Sequence, residues 1–378
     1  MDFLASFAPY YFFVYWFWVL LLTVNYFSLL NRYQGYSVIN RTYDYKRLII
    51  FSIFFILFFG LRPLVYGNGI FGDTMNYHHT YTLIQDYGVF NMRGDTEASK
   101  DPLFYALMYS CAHIMDPHLF FTICMFLYVG LMFVGCRKID HRHGALLMLF
   151  CFGAFEFYPF AVNGVRNGIA CSFVIMALAC LCKKDKLLAI ALSFAAVGFH
   201  KSTILPIITM FFTYYVSKPK YMYIAWGIAV LISLTLGGYI DSLLSMMSYD
   251  QRLADNLQNN ETDGLVLEHR FRWDFLLYSS MPLLLGWYTI FKRKYCNKTY
   301  LLLLGTYIYA NCFWVLAIRA IYSNRIAYLS WFLYPIVLAY PLLNFPVFKS
   351  QHGKKIAFIL LVHFALTTIL SHAYFSLI

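Results

Sequence analysis

The sequence predicts an all-α polytopic membrane protein with about 12 transmembrane helices. Three observations carry that reading. Of 378 residues, 61% are hydrophobic and only 12% are charged, against about 25% charged in a soluble domain. Mean hydropathy is +0.61. Apolar runs alternate with short polar segments along the whole chain, and one crossing takes roughly 20 apolar residues. A larger core does not explain the excess, because a chain of this size still needs a polar skin. A soluble enzyme, a disordered chain and a secreted disulfide scaffold are thereby excluded.

Apolar runs read against polar punctuation place the elements in order. Residues 9–30 form the first expected span. No basic segment precedes it and no cleavage site follows, so a retained span is expected rather than a signal peptide. The second span, 47–65, runs into Gly60-Leu61-Arg62-Pro63. The 14 residues from Pro102 to Met115, set between Asp101 and Asp116, are short for a crossing and read as a re-entrant or interfacial outer helix. Further spans are expected at 118–136, 144–161, 167–182, 186–199, 203–217, 221–240, 274–291, 299–317, 325–344 and 355–375. The spans 186–199 and 203–217 are short and split by Phe199-His200-Lys201-Ser202, so one broken helix is a second reading. No repeat, low-complexity stretch or soluble linker interrupts the pattern. Residues 1–378 are expected as a single integral membrane domain with outer loops at about 67–117 and 241–273. Within the second loop, Gln258 to Gly264 has the composition of a mobile tip.

Charge sets the orientation. Of the 29 Lys and Arg, 19 fall in one set of loops: Arg32, Arg41, Lys46 and Arg47; Arg137, Lys138 and Arg142; Lys183, Lys184 and Lys186; Lys218 and Lys220; Lys292, Arg293, Lys294 and Lys298; Lys349, Lys354 and Lys355. Only Asp44, Asp140 and Asp185 accompany them. The positive-inside rule makes this side cytoplasmic. The net charge of +11 therefore reports orientation and contact with anionic lipid, not nucleic acid. The 9 cysteines sit mostly in apolar runs and read as small apolar fillers. His78-His79 and His141-x-His143 lack a third ligand, and no metal or cofactor is expected. No P-loop, GxGxxG, GxSxG, HExxH or DxD pattern occurs.

The other basic residues share the outer half with most of the acidic ones. Five clusters there could carry chemistry. Arg62, followed by Gly72-Asp73-Thr74-Met75-Asn76-Tyr77, could frame a polar pocket, or be a snorkelling arginine and a helix cap. Gly164-Val165-Arg166-Asn167-Gly168 opens a span and sets a guanidinium beside unpaired backbone N–H groups, which suits a phosphate. His200 lies between two short apolar runs. Arg270-Phe271-Arg272-Trp273-Asp274 could clamp a diphosphate, with Trp273 stacking on a sugar, or serve as an interfacial belt. Ser323-Asn324-Arg325 opens another span. Arginines on this side stand against the orientation rule, and an anionic lipid carrier would explain them.

Taken in order, Arg62, Gly72-Asp73-Thr74-x-Asn76-Tyr77, Asp101-Pro102-Leu103-Phe104, Val165-Arg166-Asn167-Gly168-Ile169-Ala170, Phe199-His200-Lys201-Ser202, Arg272-x-Asp274-Phe275 and Asn324-Arg325 resemble the EpsG family of Wzy-type polysaccharide polymerases. The resemblance runs from about residue 50 to 345. The family usually shows Glu-Pro-Gly-Phe where this chain has Asp101-Pro102-Leu103-Phe104, and often Arg-Gln where it has Arg166-Asn167.

The resemblance implies a GT-C-like glycosyltransferase of the bacterial inner membrane. Such an enzyme moves a growing glycan from undecaprenyl diphosphate onto a new lipid-linked repeat unit at the outer face. Its partners would be that lipid-linked oligosaccharide, membrane lipid and a chain-length regulator. A diphosphate leaving group needs cations, which arginines supply without a metal; Arg62, Arg166, Arg270, Arg272 and Arg325 are assigned to it, Arg62 alternatively to positioning Asp73. The attacking hydroxyl must lose a proton; Asp73 is the first candidate base, with Asp101 and His200 behind it. Tyr77, Trp273 and Tyr322 are assigned to the sugar. An O-antigen ligase using the same donor is one alternative. A flippase or transporter is another, and it would need charge at mid-membrane depth; Glu156 within 144–161 is the main residue of that kind.

Overall fold

The computed structural model describes residues 10–32, 41–64, 71–88, 101–247, 261–262, 265–266, 271–320 and 323–375. Their regular structure is helical, apart from a two-residue antiparallel pairing of Glu261–Thr262 with Leu265–Val266. The chain divides into two compact units. One comprises Met1–Ile204 and Leu342–Ile378, the other Leu205–Pro341.

The first unit contains α1 (Tyr11–Arg32), α2 (Arg41–Gly60), α3 (Gly72–Tyr87), α4 (Pro102–Ala112), α5 (Pro117–Ile139), α6 (Gly144–Phe152), α7 (Phe157–Val162), α8 (Val165–Cys182) and α9 (Lys186–Phe199), the last followed by a 3-10 turn, Lys201–Thr203. Then come α10 (Ile204–Tyr215), α11 (Pro219–Met247), α12 (Trp273–Trp287), α13 (Lys298–Leu316), α14 (Ser323–Trp331) and α15 (Tyr334–Asn344), and α16 (His352–Phe375) returns to the first unit.

Six segments among the described residues are long and apolar enough to cross a membrane: Pro117–Ile139, Val165–Cys182, Pro219–Ile240, Lys298–Leu316, Ser323–Asn344 and His352–His372. The expected span 9–30 matches the 22-residue α1, and most of 47–65 lies in the 20-residue α2. Other expected spans are shorter or broken. Lys186–Phe199 is a shorter apolar helix. The expected span 203–217 is the 12-residue α10. The span 274–291 is the 15-residue α12, running on as a π-turn over Tyr288–Lys292. The break expected at His200 is present: its backbone is extended (φ −157, ψ 113), so α9 and α10 are separate helices. The 11-residue α4 is about 16 Å long at helical rise, roughly half the thickness of a bilayer core. It rests on α3, α5 and α9.

The expected span 144–161 is not one helix. It stops after Phe152 and resumes at Phe157, which frees carbonyls that hydrocarbon cannot solvate. Side chains from distant helices meet them. Tyr15 Oη donates to the Phe152 carbonyl, His363 Nε2 lies 3.0 Å from that of Phe150, and Thr367 Oγ1 donates to that of Gly153 at 2.7 Å. Glu156 is buried at this break, and its Oε2 has no partner among the described residues.

The core of the first unit is α8, laid against α5 and α9. Small residues let the backbones approach; a Cβ on Gly135 would lie 2.7 Å from Ile175 Cγ2. Basic residues gather at one end of this unit. There Arg137 stacks on Tyr45 at 5.2 Å, Tyr45 Oη donates to the His141 carbonyl, and Lys138 reaches Cys180. Asp140 accepts from His143 Nδ1 at 3.0 Å and from Asn344 Nδ2 at 2.6 Å. From Phe121 to Arg137, α5 rises about 24 Å, so this end lies far from the Arg62 guanidinium, which rests on Phe121 at 4.2 Å.

In the second unit α11, α12 and α14 each pack on α13. A buried polar network ties them together. Asn311 accepts from Trp226 Nε1 at 2.9 Å and donates to Ser279 and Ser330, while Trp331 Nε1 donates to Ser279 Oγ at 2.6 Å.

Candidate active site

Polar groups converge at the end of the first unit opposite the basic one. Asp101 precedes Pro102 at the start of α4, where an aspartate ordinarily caps the helix. Its side chain makes no cap bond. It is buried, only 3% exposed, and three groups from elsewhere donate to it. Arg166 Nη1 reaches Oδ2 at 2.8 Å, His200 Nδ1 lies 3.2 Å from the same oxygen, and the Lys201 backbone N–H reaches Oδ1 at 3.0 Å. Burial alone would raise the carboxyl's pKa. The His200 bond, the positive Arg166 and the Lys201 amide outweigh it and hold the group below the ordinary carboxylate range.

Arg166 lies in the first turn of α8. Its Nε donates to Tyr77 Oη at 3.0 Å, and Nη1 is also 3.5 Å from Tyr105 Oη. The guanidinium carbon sits 5.3 Å from the Tyr77 ring centre and 5.8 Å from that of Tyr105. Nη2 makes no hydrogen bond among the described residues and is not sealed in the interior. One face of the guanidinium is thus fixed by protein while one donor stays open.

His200 stands where α9 ends. A Cβ on Gly198 would lie 2.6 Å from Leu103 Cγ, so α9 and α4 cross closely enough to bring His200 to Asp101. Thr203 fixes the break by donating its N–H and hydroxyl to the His200 carbonyl, at 3.1 and 2.7 Å. A carboxylate only accepts, so the proton of the neutral imidazole sits on Nδ1 and the lone pair on Nε2. The His200 side chain is 25% exposed.

Tyr77 is carried by α3, which is anchored along its length. Thr74 Oγ1 donates to the Val162 carbonyl and accepts from Arg62 Nε at 3.1 Å. Tyr81 Oη and Gln85 Nε2 both donate to the Met115 carbonyl, at 2.9 and 3.0 Å. Asp73 is half-buried in the first turn of α3, one turn from Tyr77 on the same face. It makes no hydrogen bond or ion pair among the described residues.

The structure therefore brings Asp101, Arg166, His200 and Tyr77 into one cluster, with Asp73 on its border. Arg62 is placed differently from a phosphate ligand. It is fully buried, bonded to Thr74 and to the Phe59 carbonyl at 2.6 Å, and stacked on Phe121, so it presents no donor to a surface. Its placement suits the positioning role, acting on α3. Asn167 accepts from Cys171 at 3.3 Å.

In the second unit, Arg272 is held by its own neighbour: Nε and Nη2 donate to Asp274 Oδ1 and Oδ2 at 2.9 and 2.6 Å. Its guanidinium lies 3.7 Å from the Phe275 ring centre. Trp273 is 62% exposed and lies against Phe271 at 4.4 Å, an open aromatic face. Arg325 is exposed in the first turn of α14. Arg270 and Tyr322 lie outside the described residues. Tyr105 was not among the sequence candidates. It lies one helical turn after Asp101, where a shared face was the available signal. Among the described residues no group of three or more His, Cys, Asp or Glu could hold a metal.

No curated protein and no solved structure matches the chain. The family model that does match, described as EpsG family, spans residues 47–377, a stretch that contains every member of the Asp101 cluster. The protein belongs to the EpsG family, a Wzy-type polymerase-like family.

Proposed function

We propose that this protein is a polysaccharide polymerase that moves a growing glycan from undecaprenyl diphosphate to a new lipid-linked repeat unit at the outer face of the bacterial inner membrane. The observation that carries the reading is the Asp101–Arg166–His200 cluster: a guanidinium with an open donor beside an imidazole with a free ring nitrogen, at the end of the first unit opposite the one that holds Arg137 and Lys138. The positive-inside rule makes that basic end cytoplasmic and the cluster extracytoplasmic.

In this reading an acceptor sugar hydroxyl attacks the anomeric carbon of the donor glycan. Its proton passes to His200 Nε2, a role for which Asp101 fixes the tautomer and ring. The bond from the anomeric carbon to the diphosphate oxygen breaks, and its electron pair leaves with the diphosphate. Arg166 Nη2 faces the charge that develops there, held in place by Tyr77 and Asp101. Asp73 lines the sugar's approach, while Tyr77, only 6% exposed, supports the guanidinium and not the sugar.

Purified protein in nanodiscs, given lipid-linked repeat units without nucleotide sugar or metal, is expected to form a polymer ladder. Arg166→Ala and His200→Ala should lower the ladder rate by about a hundredfold or more while the protein stays folded in the membrane. A normal ladder from both variants would remove the assignment.

A further inference from the structure

The charge balance of the cluster leaves a gap. Asp101 neutralises Arg166 through the 2.8 Å contact. A sugar-linked prenyl diphosphate carries a negative charge on each phosphoryl group before any bond breaks. The proton that His200 takes offsets only the further charge gained when the sugar leaves, so Arg166, already paired, does not balance the rest. Arg62 does not help, because its guanidinium is buried beneath α3. The sequence continues from His200 into Lys201. Its backbone N–H is bonded to Asp101 Oδ1 at 3.0 Å, which fixes its Cα at the cluster. Its side chain is exposed, and among the described residues its ammonium group has no hydrogen bond or ion pair. The 3-10 turn Lys201–Thr203 is locked by Thr203, so the root of this side chain is as ordered as His200 itself. Asp101 thus binds one cation, Arg166, at its guanidinium and anchors the backbone of a second, Lys201.

We infer that Lys201 is the second cation of the site and selects a prenyl diphosphate over a prenyl monophosphate. The inference rests on the polymerase reading for its substrate and deepens it. In the transfer step the acceptor's proton goes to His200, the electron pair of the broken carbon–oxygen bond goes to the diphosphate, and Lys201 pairs with the new oxyanion as a compact point charge. A monophosphate, with a single phosphoryl group on Arg166, leaves Lys201 unused.

The test measures two things on the full-length protein in phosphatidylcholine nanodiscs: the ladder rate, and the binding of geranylgeranyl diphosphate and geranylgeranyl monophosphate. Wild type is expected to prefer the diphosphate by about tenfold or more, the scale of one added charge contact. Lys201→Gln should bring that ratio near one and slow the ladder, and Lys201→Arg should keep most of both. The exposed position makes the variants safe to fold, and unchanged monophosphate binding by Lys201→Gln confirms it. Lys201→Gln with an undiminished diphosphate preference overturns the inference, as does a wild type with no preference. Displacement of the diphosphate by added phosphatidylglycerol would make the ligand a headgroup and overturn it too. A wild type that selects diphosphate through Lys201 but forms no ladder would instead count against the polymerase reading alone.

Discussion

Two Asp-Pro pairs open consecutive helices, and they behave differently. Asp116, before Pro117, turns onto its own helix and accepts from the His118 and Leu119 backbone N–H groups at 2.9 and 3.2 Å. Asp101, before Pro102, leaves α4 uncapped and binds Arg166, His200 and Lys201. A cap is worth about 1 kcal/mol, and Asp101 forgoes it to be buried among charged and polar partners. The same dipeptide thus serves local folding in one place and a long-range polar cluster in the other. A carboxylate diverted from its own helix points to chemistry; one that caps points to stability.

The contrast is broken most sharply by removing each carboxylate. Asp101→Ala leaves the half-buried Arg166 without its carboxylate. It should cost about 2 kcal/mol of stability, and misplacing the donors should lower the ladder rate by about a hundredfold. Thermal unfolding in detergent and the nanodisc assay measure both. Near-normal activity would show that Asp101 is not the organising group.

The pH dependence sharpens the same point. The Asp101 carboxyl is held below its ordinary value in the folded protein. Its contribution is therefore fully present above the unfolded carboxyl value, about 4, and is lost as pH falls through the lower folded value. The stability gap between wild type and Asp101→Asn should hold from neutral pH to about 5 and narrow below about 4. A gap that stays constant or widens in acid would contradict the ionised form.

Tyrosines grade the Arg166 contacts. Tyr77→Phe removes a 3.0 Å bond to the guanidinium and should cost about 1.5 kcal/mol, roughly tenfold in ladder rate. Tyr105→Phe removes the weaker, 3.5 Å contact to the guanidinium and should slow the ladder less than half as much. A reversed order would mean that Tyr105 is the better partner in the working enzyme. The smallest effect is expected of Asp116→Ala: about 1 kcal/mol of stability, with the polymer ladder unchanged. Loss of the ladder there would dissolve the contrast.

Residue chemistry made much of this site legible. Arg166 and His200 stood out as polar groups at the ends of apolar runs, Tyr77 belonged to the polar Gly72–Tyr77 segment, and Asp101 came in through the family resemblance. Their meeting did not, because it depends on helix crossings. Arg166 finds Asp101 across 65 positions and Tyr77 across 89, and nothing local encodes either distance. Local chemistry even favours the wrong expectation for Asp101, whose neighbour Pro102 signals a cap. The long apolar segments 117–139 and 165–182 were readable from length and hydropathy. The interruption within 144–161 was not, because its freed carbonyls are satisfied by Tyr15, His363 and Thr367, and no short window contains both partners. Arg62 looked like a ligand because its burial under α3 is a tertiary fact.

That interruption governs how the protein can be made. Residues 150–153 leave the ribosome long before His363 and Thr367 exist, so their carbonyls enter the bilayer without those donors. The first unit cannot settle until α16 arrives, more than two hundred residues later. Insertion is therefore not a march from the first helix to the last. Late-synthesised side chains complete an early segment, and a lesion in the final helix should be felt as a failure of the middle of the first unit.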